Sequence, residues 1–315
     1  MENQTPKELQ DPFKESGFSS INKAISASLH QVEAGINGKR QVYPTKWKRL
    51  NKNLLGGLQP GKMYVIAGRP GVGKSAFSNQ LIFDLLDNNR NKNLLVLYWS
   101  FEMPGYQQII RAGSKGTGKE VSELLSVEQK LDRAAYEAFK EEVLKYAHYP
   151  IYFNNIPRDM EFIKNANIEI TNKKPDHTIV NIFDHSRLIL SDQEHELQKL
   201  NEVSKGCMWM QAKLGVINVL LSQLNRNIEQ EHRAKAQYQP LLTDLFGGDS
   251  IGQDAHVVMM LQRPHDLYGI TDLYCSEDPI KLLAIHIEKN RDGLLGMIPY
   301  ETDMSTFTIN ERIKT

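Results

Sequence analysis

Cysteine is nearly absent from the 315-residue chain: Cys207 and Cys275 are the only two, and they have no CxxC spacing. A disulfide framework and a cysteine-built zinc site are excluded on that count. Net charge is also lacking, since 38 Lys+Arg balance 38 Asp+Glu. The chain is no general polycation, so any contact with nucleic acid must come from a local positive patch. No apolar run approaches a membrane span, and the opening MENQTPKELQDPFKESG is polar without a hydrophobic signal region. Internal repeats and low-complexity tracts are missing too. The expectation is a cytoplasmic protein of a reducing compartment. With 40% hydrophobic and 24% charged residues, it has the makings of a packed core in one large domain or two modest ones.

The polar opening residues read as a frayed tail. Beyond them Phe18, Ile21, Ile25, Leu29, Val32 and Ile36 recur at helical spacing, with Ser16, Ser19 and Ser20 as available caps and Gly38 as a stop. This predicts an amphipathic helix whose apolar face packs either on its own domain or on another chain. Strand-like runs follow at 63–67, 94–101, 151–153, 178–183, 216–222, 257–261 and 282–287, with helical stretches at 75–86, 126–146 and about 194–214. Ser126 and Gln129 have capping-box spacing at the head of the second helix. The alternation predicts an open, mostly parallel α/β sheet. Runs 282–288 and 296–301 bracket Lys289-Asn290-Arg291-Asp292-Gly293 and predict a hairpin, whereas 263–279 reads as a loop.

The most specific signal is Gly68-Arg69-Pro70-Gly71-Val72-Gly73-Lys74-Ser75, a complete GxxxxGK[ST] between a strand and a helix. Glycines let backbone N–H groups turn inward around a phosphate, and the helix N-terminus adds partial positive charge. Lys74 suits the outer phosphates, and Ser75 suits Mg²⁺. The loop predicts nucleotide binding; hydrolysis needs further groups. Asp184 ends the run 178–183, where a metal-holding acid sits in open sheets or where a plain helix cap sits. Glu102 follows another strand and faces the γ-phosphate if that strand neighbours the phosphate-loop strand; otherwise it is a surface residue before Pro104-Gly105. Gln223 ends a third strand, placed to sense phosphate or water or merely to be solvated.

Several blocks together resemble the ATPase domain of DnaB-like replicative helicases. They are Gly57-Leu58-Gln59-Pro60-Gly61, Ser100-Phe101-Glu102-Met103, Leu221-Ser222-Gln223-Leu224-Asn225-Arg226, Ile251-Gly252-Gln253-Asp254-Ala255 and Lys289-Asn290-Arg291-Asp292-Gly293. They occur in the family's order across about residues 40–310. The resemblance implies a RecA-like P-loop NTPase core (46–315) preceded by a tail and docking helix (1–45). It implies ATP and Mg²⁺ as cofactors, with Lys74 and Ser75 on phosphate and metal and Glu102 as the base. Asp184 becomes the Walker-B acid and Gln223 the γ-phosphate sensor. Lys289 and Arg291 are implied to reach a neighbouring subunit's site as a trans-acting finger. The docking helix is implied to close a hexameric homo-oligomer on single-stranded DNA, with primase or a helicase loader as further partners and no membrane.

The implied function is an ATP-dependent DNA helicase of replication. A RadA-like recombination or repair ATPase and a nucleotide-gated scaffold recruiting replication proteins are the alternatives. The chain departs from the family pattern in three places. Only the polar tail precedes the docking helix, where an N-terminal domain is usual. His185-Ser186-Arg187 stands where Tyr-Leu-Gln is usual. Phe246-Gly247-Gly248-Asp249 replaces an Arg-Glu-containing segment, leaving backbone N–H groups of Gly247 and Gly248 for phosphates. Arg226 and Lys213 are the candidate DNA cations, among Lys199, Lys205, Arg233 and Lys235; a solvated charged face explains them equally.

Overall fold

The computed structural model describes residues 18–128, 130–246, 248–270 and 281–312. The chain divides into two units after Gln41. The polar tail, Gln129, Gly247, Cys275 and the part of the predicted 263–279 loop from residue 271 onward lie outside the described residues. The first unit contains α1 (Ile21–Ile36), capped by Ser20, whose hydroxyl accepts from the Lys23 N–H at 3.4 Å. Ile21, Ile25, Leu29, Val32 and Ile36 are exposed along it.

The second unit runs α2 (Lys48–Asn53), β1 (Met63–Gly68), α3 (Lys74–Asn88), β2 (Leu94–Ser100), α4 (Gly105–Thr117), α5 (Val121–Leu125) and α6 (Arg133–Leu144). It continues with β3 (Ile151–Asn154), α7 (Met160–Lys173), β4 (Thr178–Asp184), α8 (Glu196–Leu214), β5 (Ile217–Gln223) and α9 (Gly248–Asp254). The last elements are β6 (Val257–Gln262), α10 (Pro264–Tyr268), β7 (Leu282–Asn290), β8 (Gly296–Asp303) and β9 (Thr308–Glu311).

Among the described residues the strands form one nine-stranded sheet in the order β3-β2-β4-β5-β1-β6-β7-β8-β9. Pairing is parallel from β3 to β6 and antiparallel from β6 to β9. Burial on both faces explains why the parallel strands read as continuous apolar runs. On β1, Tyr64 and Ile66 join a core with Trp47, Phe77 and Leu81, while Met63 and Val65 join Val203, Cys207 and Met210 on the opposite face.

The predicted strands are present, but several helices differ. The expected helix over 126–146 is α6 alone, Arg133–Leu144, followed by a 3₁₀ turn at Lys145–His148. Ser126 is extended and ends α5, and Asp132 caps α6 by accepting the Ala135 N–H at 2.7 Å. α2, α4, α5, α7, α9, α10 and β9 were not expected, and α10 falls within the stretch 263–279 that reads as a loop. α7 owes its start to Asp159, which accepts from the Phe162 N–H at 2.7 Å. The Lys289–Gly293 block is not all loop, because β7 continues through Asn290 and pairs Lys289 with Val258. A register shift between Val258 and Met259 inserts an extra β7 residue at Glu288, which re-aims the side chains that follow.

Candidate nucleotide site

β1 delivers Gly68 directly into the phosphate loop. Gly71 and Gly73 have φ of +78° and +101°, left-handed values that glycine adopts without cost and other residues resist. Gly73 is the N-cap of α3, so the first-turn N–H groups of that helix face the loop's hollow. The Lys74 ammonium donates to the carbonyls of Gly68 (3.0 Å) and Arg69 (3.2 Å), curling over the loop itself. Burial pushes it down to about 8, against the opposing pull of Asp184 and Glu102. The Arg69 side chain turns away to Glu229 (2.7 Å) and to the Leu224 carbonyl (2.8 Å), tying the loop to the exit of β5. Pro70 and buried Val72 complete the turn, and a Cβ at Gly73 would stand 2.8 Å from the Met304 methyl.

Ser75 Oγ donates to Asp184 Oδ1 at 3.1 Å. Asp184 is buried at the end of β4, and its Oδ2 has no hydrogen-bond partner. Burial lifts this carboxyl to about 6; the Ser75 bond opposes that and Glu102 adds to it. A buried, unsatisfied carboxylate oxygen beside a serine hydroxyl fits a hard divalent cation. Among the described residues no cluster of three or more His, Cys, Asp or Glu forms a metal site. An ion held here takes its remaining ligands from phosphate and water.

Glu102 is exposed in the turn after β2. The condition that β2 neighbour β1 fails, since β4 and β5 intervene. The turn reaches the site another way: Ser100 is in register with Asp184, and the Phe101 N–H donates to the Asp184 carbonyl at 3.0 Å. Glu102 therefore acts electrostatically on Lys74 and Asp184. Arg111 on α4 belongs to the same cluster and was missed from sequence. Burial lowers its guanidinium, Asp184 and Glu102 raise it, and it lies 4.6 Å from the Phe307 ring centre. Its only sequence signal was a cation one helical turn beyond Gln107 and Gln108.

Gln223 ends β5, between the strands that carry the phosphate loop and Asp184. Lys289 and Arg291 are not brought to this cluster. β7 is antiparallel to β6, so its end meets the start of β6 at the amino edge of the parallel strands. The Arg291 N–H donates to the His256 carbonyl at 3.0 Å, and neighbouring Asp292 pairs with Lys62 at 2.5 Å, just before β1. Both cations meet the C-terminal carbonyls of α9: Lys289 those of Gly252 (2.8 Å) and Gln253 (2.6 Å), Arg291 that of Gln253 (2.8 Å).

Of the candidate DNA contacts, Arg226 is exposed in a short 3₁₀ turn directly after β5, and Gly248 opens α9. Lys213 falls at the other end of the sheet. α8 returns from the carboxyl end of β4 to the start of β5, and Gly215, two residues past Lys213, accepts the Gly61 N–H at 3.0 Å ahead of β1. Lys213 thus lies away from Arg226 and the phosphate loop.

A nucleotide-binding α/β protein of the RecA-like P-loop type is what this fold and site define. The chain belongs to the family of the DnaB-like helicase C terminal domain, whose model matches residues 43–309. It is 25% identical over 323 residues to the replicative DNA helicase DnaB of Rickettsia felis, covering 94% of this chain and 63% of that protein. It is 28% identical over 274 residues to the replicative DNA helicase DnaB of Mycoplasma pneumoniae, covering 82% and 55%. The chain thus spans less than two thirds of the length of these relatives. Among solved structures, an isolated ATPase domain matches with a TM-score of 0.82 at 19% identity, covering 94% of this chain and 100% of that one. A DnaB-like replicative helicase solved for its interactions with primase matches with a TM-score of 0.79 at 19% identity, covering 93% and 67%. Among the described residues no helix is long and apolar enough to cross a membrane.

Proposed function

We propose that this chain is the ATP-hydrolysing motor of a cytoplasmic replicative DNA helicase that moves along single-stranded DNA as a ring, most simply a hexamer. The observation that carries the reading is the distance between its two cationic sites. The phosphate loop follows the end of β1 and Arg291 lies beside its start, so about 17 Å of strand separates them. Lys289 and Arg291 therefore complete the site of another copy, and hydrolysis depends on assembly. Residues 46–315 form the motor; residues 1–45 supply the tail and α1, whose apolar stripe docks on the next copy. Primase and a loader are further partners, primase by likeness to the helicase solved with it.

In this reading Lys74 and the loop N–H groups hold the ATP phosphates, and Glu102 orients and deprotonates the attacking water. Gln223 reports loss of the γ-phosphate toward Arg226 and the Gly247–Gly248 segment, which meet the strand. Mg²⁺ held by Ser75 and Asp184 supplies charge neutralisation at the phosphates.

The test measures ATP turnover and particle mass with and without ATP and oligo-dT, together with strand displacement on a forked duplex. DNA-stimulated turnover, a nucleotide-dependent ring and displaced strand are expected. Turnover without displacement favours a recombination or repair ATPase. Negligible turnover at high protein concentration favours a nucleotide-gated scaffold. A fully active lone subunit overturns the trans arrangement.

A further inference from the structure

The residues that replace the family's usual segment after Asp184 converge on Gln223. Gln223 Oε1 accepts from Arg187 Nη1 at 3.2 Å, and Gln223 Nε2 stands 2.7 Å from His185 Nε2. A guanidinium only donates, so Oε1 must face Arg187 and Nε2 must donate to the imidazole. Both ends of the amide are thus engaged by residues of this chain, and neither is left free for a phosphate or a water.

Arg187 has two further ties. Its Nε pairs with Glu196 in the first turn of α8, and its guanidinium carbon lies 4.8 Å from the Phe246 ring centre. The Phe246 N–H in turn donates to the Gln223 carbonyl at 2.9 Å. One cation therefore touches the γ-phosphate sensor, the head of α8 and the aromatic residue just before Gly247. Its side chain is 36% exposed. It borders a cavity of about 250 Å³ that is also lined by Ser186, Glu194, Glu196 and Lys199.

We propose that Arg187 is a positioning residue that withholds Gln223 from the reacting phosphate until a nucleic-acid phosphate draws its guanidinium away. The inference rests on the ATP-driven reading above and assigns this chain's own link between strand binding and hydrolysis. A phosphodiester offers the guanidinium the same charge-assisted hydrogen bonds as the carboxylate of Glu196. Once released, the Gln223 amide regains a donor and an acceptor for the γ-phosphate or the attacking water.

The experiment compares wild type, Arg187→Ala and Arg187→Lys in ATP turnover with and without oligo-dT, over a range of ATP concentrations. For Arg187→Ala, basal kcat should rise and the DNA stimulation ratio should shrink at least about fivefold, the lower range of ordinary coupling. KM for ATP should stay within about twofold, because the bond removed is made to the sensor and not to the nucleotide. Arg187→Lys should fall between, since lysine keeps the charge without the fork. Parallel loss of basal and stimulated kcat, or an unchanged ratio, overturns the proposal. Hydrogen exchange of residues 224–246 gives a second measure that is independent of turnover. Oligo-dT should loosen this segment in wild type, and Arg187→Ala should show it loosened without DNA. Equal protection in both proteins overturns the clasp. A wild type that hydrolyses no ATP strikes the proposed function, and the exchange measurement still judges Arg187.

Discussion

Ser75 and Asp184, 109 positions apart in the chain, are joined by a 3.1 Å hydrogen bond that leaves the carboxylate's second oxygen enclosed and unpaired. Asp184→Asn removes the charge but keeps the shape. It should leave nucleotide affinity in EDTA nearly unchanged while cutting the enhancement by Mg²⁺ at least about tenfold, as loss of a metal ligand or its support does. Titration of a fluorescent ATP analogue with and without Mg²⁺ reads this directly. Undiminished Mg²⁺ enhancement would show that the ion, if bound, is held elsewhere.

Glu102→Gln separates binding from chemistry. Turnover should drop by about 10²–10⁴-fold, the usual worth of a positioned base, with the ATP dissociation constant within a few fold of wild type. Single-turnover hydrolysis beside equilibrium binding checks both halves; unaltered turnover removes Glu102 from the catalytic role.

Arg291 gives the test of shared sites. Arg291→Ala should lower turnover by about 10³-fold or more, the scale of an arginine finger. Lys74→Ala should abolish nucleotide binding at its own site. Mixing the two inactive variants should restore measurable hydrolysis, because some seams then pair an intact loop with an intact finger. No recovery in a mixture shown to co-assemble would falsify the trans assignment.

His286 should make stability depend on pH in a defined direction. It is buried in β7, with Nε2 3.0 Å from the Gln262 Oε1 atom, and burial pushes its imidazole down to about 4. The unfolded value is near 6.5, so between about 4 and 6.5 the unfolded chain binds more protons. The contribution is complete above about 6.5 and lost as pH falls through 4, on the order of 3 kcal/mol in all. Urea midpoints at pH 7.5 and pH 5 should therefore diverge in wild type and converge in His286→Leu.

The sequence revealed the site's parts better than their arrangement. The phosphate loop, Asp184 and Gln223 were legible because buried parallel strands are unbroken apolar runs and the chemistry follows at their ends. Sheet order is a lateral property without a local period, so the expectation that Glu102 needs β2 beside β1 failed. The separation of Lys213 from Arg226 was hidden for a related reason: a helical spacing does not tell which end of the sheet a residue reaches. α4 was hidden because Pro104-Gly105 reads as a turn and Gly113 and Gly116 weaken its propensity. Arg111 was lost with it. The extent of β7 was misjudged because Lys289, Asn290 and Arg291 are polar, although two of the three side chains are satisfied by the α9 carbonyls.

β1, β6 and β7 are hydrogen-bonded neighbours, so the edge that carries the phosphate loop and the edge beside Arg291 belong to a single plank. In the ring proposed above, tilting that plank to tighten one pocket swings the guanidinium offered at the next. In a closed assembly the order of firing would then follow from geometry, with each molecule acting as both lock and key for its neighbours and no separate timing element required.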